Sequence, residues 1–211
     1  MKRLSLIRNV CLLAFLAVGA VIGMAQKHLT AADVMSRTAA AIAPEGKTTI
    51  LTFDLHGASG IIPATLKMDR HAYVLDSKDI HIWFDGTTQW TFVPGPDELT
   101  ISEPTADEAF ETNPFAVISQ YANHYNARLG KATEGRHSVI LTPKAAGSGI
   151  TQALLTVDAR TYRPAGLEVT MSNGQKMKMT VRNLSTAPRQ PLTVYRHDSK
   201  AYPAQEIIDL R

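Results

Sequence analysis

The chain is almost devoid of cysteine, with Cys11 as its single example among 211 residues. We expect residues 1–25 to be a signal peptide that is removed, because a basic start precedes an apolar run that ends in Gly23-Met24-Ala25. The mature chain, 26–211, then has no cysteine. Disulfides are excluded as its support, so an exported protein of this kind depends on its hydrophobic core. We expect that chain to form a single domain.

The alternative for the N-terminal segment is a retained membrane anchor. The apolar run at 10–25 has about 16 residues, fewer than the ~20 that a membrane-spanning helix needs. Its length therefore favours removal.

The expected mature chain also has no excess of basic or of acidic residues. The full sequence has 22 basic and 19 acidic residues, and the expected signal peptide holds three of the basic residues and none of the acidic ones. A neutral mature chain has no bulk attraction to nucleic acid or to anionic lipid. We therefore expect no nucleic-acid partner.

Catalytic and metal-binding motifs are missing as well. No HExxH pair occurs, and Ser59 and Ser148 lie in glycine turns that do not form a G-x-S-x-G elbow. His81 with Asp79 and Asp85 could meet a metal, although a solvated strand face is the simpler interpretation. We expect no enzyme activity, no metal and no cofactor, with a serine hydrolase assembled from distant residues as the alternative.

What the sequence does contain is strand alternation. Apolar and polar residues alternate along many segments after residue 46, and Asn173-Gly174 joins two of them as a hairpin. Helices are predicted at 30–43 and at 105–122, the second broken at Pro114. The pattern predicts a large antiparallel sheet that closes as a barrel or is covered by the helices. Because the helices are short, we expect a partly hollow apolar interior.

Large apolar side chains concentrate between residues 83 and 115. Trp83, Trp90 and Phe92 flank an Asp85-Gly86 turn, and they either line a lipid-sized cavity or pack as ordinary core aromatics. A broken amphipathic segment follows at 104–122. It is predicted to be a lid beside the sheet, with a permanently packed helix pair as the alternative.

These motifs resemble the periplasmic outer-membrane lipoprotein carriers, the LolA-like family. The resemblance rests on Asp85-Gly86-x-Thr88-x-Trp90-x-Phe92-x-Pro94, on Asn113-Pro114-Phe115, and on an ending from Tyr202-Pro203 to Leu210. The forms Trp83-Phe84-Asp85-Gly86 and Ser102-Glu103-Pro104-Thr105 are most similar to the branch found in Bacteroidetes.

The resemblance implies an α+β, mainly β fold. Its strongly curved antiparallel sheet would be an incomplete barrel of about ten or eleven strands, covered by short helices around an apolar cavity. It implies a periplasmic chaperone that takes the acyl chains of lipoproteins from an inner-membrane release complex and delivers them to the outer membrane or an acceptor there. We expect a monomer. One departure is that the family's Lys-Arg-Pro step, whose Arg helps to hold the lid shut, is replaced here by a run in which Arg70 is shifted.

The expected site is therefore an apolar wall and a lid, without a catalytic group. The wall is predicted to contain Leu51, Phe53, Leu66, Met68, Tyr73, Trp83, Trp90, Phe92, Ile101, Phe115, Ile118, Leu155, Val169 and Met179. The lid is predicted to contain Pro104, Phe110, Pro114 and Phe115.

The same fold could serve other functions. A periplasmic regulator could use the cavity to sense lipid or stray lipoprotein, and a carrier could take another lipid. Because a fold does not determine its cargo, these alternatives remain open at the level of sequence.

Overall fold

The computed structural model describes residues 28–57, 60–69, 72–104, 113, 115–146 and 148–211. The expected signal peptide, 1–25, lies outside these residues. Within the described part, no helix is long and apolar enough to cross a membrane.

The described strands form one twelve-stranded sheet, in the order β12-β6-β5-β4-β3-β2-β1-β11-β10-β9-β8-β7. It is strongly curved and does not close into a barrel, because β12 and β7 end the described sheet without pairing to each other. The strands are β1 (Lys47–Gly57), β2 (Gly60–Asp69), β3 (Ala72–Ser77), β4 (His81–Phe84), β5 (Gln89–Val93), β6 (Glu98–Ser102), β7 (Tyr125–Leu129), β8 (Arg136–Pro143), β9 (Ile150–Asp158), β10 (Pro164–Met171), β11 (Lys176–Pro188) and β12 (Glu206–Asp209).

The mainly β architecture with few short helices is confirmed. Two details differ from expectation: twelve strands are described rather than ten or eleven, and β12 pairs with β6 in parallel. A parallel pair needs a long crossover between its strands, and here the chain between β6 and β12, which contains β7 to β11, supplies it. Strand alternation alone does not reveal the direction of a strand.

Two α-helices are described, α1 (Ala31–Ile42) and α2 (Ala116–His124). The α1 helix begins at a capping box, in which the Thr30 hydroxyl accepts a bond from the Asp33 amide at 3.1 Å and the Asp33 carboxylate accepts from the Thr30 amide at 3.0 Å. Val34, Met35 and Ile42 form its buried face. A 3-10 helix, Leu192–Tyr195, follows β11.

One face of the sheet packs against both α-helices, and we call it the inner face. Alternation places Leu51 and Phe53 of β1 on this face, and their partners Leu66 and Ala64 lie beside them on β2. The resulting inner core is continuous with the buried faces of the helices. Its further members are Tyr73, Leu75, Ile82, Phe84, Phe115, Val117, Ile118, Tyr125, Val139, Leu141, Ala153, Leu155, Val157, Leu167, Val169, Met179 and Leu184.

A second, smaller apolar cluster lies on the opposite, outer face of β3 to β6. Trp83, Phe92 and Leu99 are buried there, and Val74, Trp90 and Ile101 pack around them together with Tyr202 and Ala204 from beyond β11. The cover is the segment 189–205, which we call the strap. It crosses the outer face and delivers the chain to β12.

Charged and polar contacts hold the strap to the sheet at several points. Arg189 donates to both oxygens of Asp69 at 2.7 and 2.9 Å. Arg196 donates to Asp85 at 2.9 Å, and both carboxylates are about nine-tenths buried while the arginines are about half exposed. Tyr195 is fully buried, with its hydroxyl 3.1 Å from that of Thr48. The strap is therefore an integral cover.

We predict that Tyr202→Ala lowers the free energy of unfolding by about 2 kcal/mol. The Tyr202 ring lies 4.6 Å from His81, 4.9 Å from Trp83 and 5.7 Å from Phe92 between ring centroids, and its loss would expose all three. Urea unfolding measures the loss. Trp83 and Trp90 are the only tryptophans of the chain, so their emission should also shift to longer wavelength.

The exposed Leu192 of the same strap provides the control. Leu192→Ala should change neither the unfolding midpoint nor the emission. Unchanged emission in the Tyr202→Ala variant would contradict the assignment of the strap as the cover of both tryptophans.

A second prediction concerns pH. Burial raises the pKa of the Tyr195 hydroxyl above its usual value of 10.0. The folded-state pKa exceeds the unfolded-state pKa. The contribution of the neutral Tyr195 hydroxyl to the free energy of unfolding is therefore complete below pH ~10 and is lost as the pH rises beyond that value. Tyr195→Phe should therefore make the decline of stability above pH 10 shallower, as measured by urea unfolding from pH 8 to 11. If the stability of Tyr195→Phe declines above pH 10 as steeply as that of the wild type, the prediction is contradicted.

Candidate ligand-binding face

The centre of the inner face is an apolar floor. Phe53, Leu66, Leu155 and Met179 come from four different strands, and each is at most 1% exposed. Strand pairing brings them together, since β1 lies between β2 and β11 and β10 joins β11 to β9. The floor has the chemistry of a hydrocarbon surface and offers no side-chain charge.

The segment before α2 packs directly on this floor. The Phe115 ring meets the Phe53 ring edge-on with 5.4 Å between centroids, and Ile118 is fully buried nearby in the same core. The buried Asn113 side chain accepts a hydrogen bond from the Phe115 amide at 3.1 Å, which directs the chain into this contact. The described contact of Phe115 with the floor is therefore apolar, and Ile118 belongs to the same core.

Half-buried apolar side chains line one end of the inner face, and we call them the rim. They are Leu55, Met177, Ile150 and Met171, each packed against the inner core. All four lie next to the loops that join β1 to β2, β8 to β9 and β10 to β11, which pairing brings to the same end of the sheet. Methionine adapts to apolar partners of varied shape, so this end suits contact with a flexible ligand.

The structure separates the fourteen predicted wall residues into two groups. Ten belong to the inner core, nine as buried members and Met68 packed against them. Trp83, Trp90, Phe92 and Ile101 instead belong to the outer cluster beneath the strap. The fourteen residues therefore do not share one face of the sheet, and which of them bind a ligand stays a prediction. Within a strand, alternation shows which residues share a face, but it does not show which face of the sheet that is.

Because Trp90 and Ile101 face outward, other residues of their strands face inward, and these were not among the predicted site residues. Opposite Trp90 and Ile101, the inner face of β5 and β6 carries Gln89, Thr91, Thr100 and Ser102, which we call the polar band. The Tyr73 hydroxyl donates to Gln89 at 3.0 Å, and the Gln89 amide donates to Thr91 at 3.3 Å. The sequence signal for these residues is the alternation of Leu99 and Ile101 with Thr100 and Ser102, which does not show which set faces the helices.

The predicted lid is described only in part. Pro104 is half-buried after β6, and Phe115 packs on the floor. Phe110 and Pro114 lie outside the described residues, as does Arg70. The role of 104–122 as a lid and the apolar cavity itself stay predictions.

The metal alternative finds no support in the described part of the chain, where no group of three or more His, Cys, Asp or Glu side chains could hold an ion. His81 Nδ1 lies 2.6 Å from a carboxylate oxygen of Asp76, whereas Asp85 accepts bonds from the Thr87 and Thr88 amides and from Arg196. Asp85 therefore shapes its turn and anchors the strap.

The described residues form two open clefts, and Met179 of the floor borders the smaller one. One of about 480 Å³ is bounded by the strap residues Arg189 and Leu192 and by the turn at Gly86. One of about 220 Å³ lies around Gly166, where an added Cβ would come within 3.1 Å of the Met179 carbonyl oxygen. The first has the Arg189–Asp69 ion pair on its wall and lies beside the strap.

Comparison with known proteins supplies the family context for this face. Residues 21–175 match the family model described as outer membrane lipoprotein carrier protein LolA. No curated protein matches the sequence.

Solved structures resemble the chain at low sequence identity. An uncharacterized conserved protein from Thermus thermophilus aligns with a TM-score of 0.56 and 9% identity, over 85% of this chain and 98% of that chain. A LolA superfamily protein from Nitrosomonas europaea gives 0.46 and 10%, over 80% and 98%. The MucA/MucB complex of Pseudomonas aeruginosa gives 0.40 and 18%, over 81% and 62%. The first of these likenesses shows the shared fold, and the other two are too loose to add to it.

Proposed function

Because the chain belongs to the family of the outer membrane lipoprotein carrier protein LolA, we propose that it is a periplasmic chaperone for lipoproteins. It would shield their acyl chains on the inner face and carry them from the inner to the outer membrane. The observation that supports this proposal is the continuous apolar floor on an open, curved sheet, with a half-exposed apolar rim at one end.

The energetics explain why a carrier is needed. Exposure of an acyl chain to water costs ~0.8 kcal/mol per methylene, so a chain of about 16 carbons costs on the order of 13 kcal/mol. A lipoprotein released from a membrane therefore does not cross an aqueous compartment unshielded. An apolar floor replaces the membrane interior, and the task requires no catalytic group.

Delivery requires that the carrier also release its cargo. Phe115 packs on the floor through an apolar contact, which an acyl chain can replace with contacts of the same kind. The segment 104–122 would then act as a lid whose closed state competes with the cargo and lowers its apparent affinity. Loading would need an inner-membrane release complex, and unloading would need an acceptor that binds the lipid more tightly.

In this proposal the chain acts after removal of residues 1–25, in the periplasm, as a monomer and without a cofactor. It binds the acyl chains noncovalently and leaves them chemically unchanged.

We predict that Met177→Glu weakens binding of a fluorescent diacyl lipopeptide by about tenfold or more, because a carboxylate on the rim loses hydration when lipid covers it. Ser185→Glu is the matched control, since Ser185 is exposed on the outer face of the same strand. It should bind the probe as the wild type does. Equal affinity of both variants for the probe would contradict binding at the rim.

Native mass spectrometry of protein purified from the periplasm tests the proposal directly. An acylated adduct that is lost on delipidation supports the carrier proposal. A covalently cleaved lipid would instead indicate a hydrolase. Transfer of the adduct between two populations of vesicles supports a carrier. Stable retention of the lipid together with a bound membrane protein would instead indicate a sensor.

A further inference from the structure

The inner face changes its chemistry across the sheet. The face is apolar from β9 through β1 to β4 but polar on β5 and β6, where the polar band lies. Two lines of paired residues mark the change. Phe84 lies opposite Gln89, which lies opposite Ser102, and Ile82 lies opposite Thr91, which lies opposite Thr100. An apolar surface and a band of hydroxyl and amide groups are therefore direct neighbours.

The band is half-buried and uncharged. Gln89 is 8% exposed, and Thr91, Thr100 and Ser102 are half-buried. Within the described part of the chain, no hydrogen bond is made to the side-chain hydroxyls of Thr100 and Ser102. Two hydroxyl groups without a partner among those residues therefore lie beside the apolar inner core at Ile82 and Phe84. Half-buried hydroxyls in such surroundings favour a hydrogen-bonding partner over hydrocarbon.

We propose that the polar band binds the carbonyl-rich junction of an acylated ligand, at the ester and amide groups where the acyl chains meet the polar part of the molecule. This inference rests on the proposed function and specifies how the ligand is oriented. The tails would lie over the floor, and the junction would lie over β5 and β6. Hydroxyl donors match carbonyl acceptors, and the band has no cation to compensate a phosphate group.

The dimensions of the sheet agree with this orientation. Four strand spacings of about 4.8 Å separate β5 from β1, or about 19 Å along the sheet. This distance is close to the length of the extended acyl chain considered above. A tail that starts at the polar band therefore reaches the centre of the floor near Phe53.

The test removes the hydroxyls of the band while its shape is kept. The triple variant Thr91→Val, Thr100→Val and Ser102→Ala keeps the size and strand preference of these side chains. Gln89 is retained because it bonds to the core residue Tyr73. The matched control removes three outer-face hydroxyls, with Thr52→Val, Thr65→Val and Ser185→Ala. Urea unfolding confirms that both variants fold.

Two fluorescent probes of matched chain length separate the junction from the tail: a diacylglyceryl lipopeptide, which has ester carbonyls, and a pyrene-labelled alkane, which has none. We expect the triple variant to bind the lipopeptide about tenfold more weakly and the alkane with unchanged or higher affinity. The control variant should bind both probes as the wild type does. Carbonyl-labelled lipopeptide gives a second readout, because the infrared ester band should move to higher frequency in the triple variant.

The outcomes are distinct. Unchanged lipopeptide affinity and ester frequency in the triple variant would overturn the polar-band inference and leave the proposed function intact. An equal loss for both probes would also overturn it, since the band would then act on the tail or on the fold. Binding of neither probe by the wild type would overturn the proposed function and this inference together.

Discussion

Burial of apolar side chains on both faces of the sheet is the constraint on which this structure depends. On β3 and β4, apolar residues point to both faces of the sheet. Tyr73 and Ile82 face inward, and Val74 and Trp83 face outward. A sheet that does not close on itself cannot bury both faces alone. The helices therefore cover the inner face, and the strap of 189–205 covers the outer face of β3 to β6.

The two covers differ in the interactions that hold them, and this difference bears on function. Ion pairs to the largely buried Asp69 and Asp85 hold the strap, and an incoming lipid cannot reproduce such bonds. Phe115 contacts the floor through its ring, and Ile118 is buried in the same apolar core. The fold therefore combines an outer cover that is held by ion pairs with an inner cover whose described ring contact with the floor is apolar.

Features that depend on neighbouring residues were predictable from sequence. The Thr30 cap places the start of α1, because its partner Asp33 lies one turn away. Asn173-Gly174 turns the chain between β10 and β11 with Gly174 at φ 83°, a conformation that glycine adopts without strain. The closing strand near Leu210 is present as β12, but its parallel pairing with β6 depends on the path of the strap.

The sequence by itself determined the strand alternation, the start of α1, the turns and the family motifs, because each depends on residues close together in the chain. Only the tertiary structure decided which of the two alternating sets of residues in each strand faces the helices. It turned Trp90 and Ile101 outward beneath the strap and Thr91 and Thr100 inward beside the apolar inner core. The physical reason is that alternation is unchanged when the two faces of a strand are exchanged. The choice between them is made by Tyr202, about a hundred residues away in the chain, which covers one face and leaves the other to the helices.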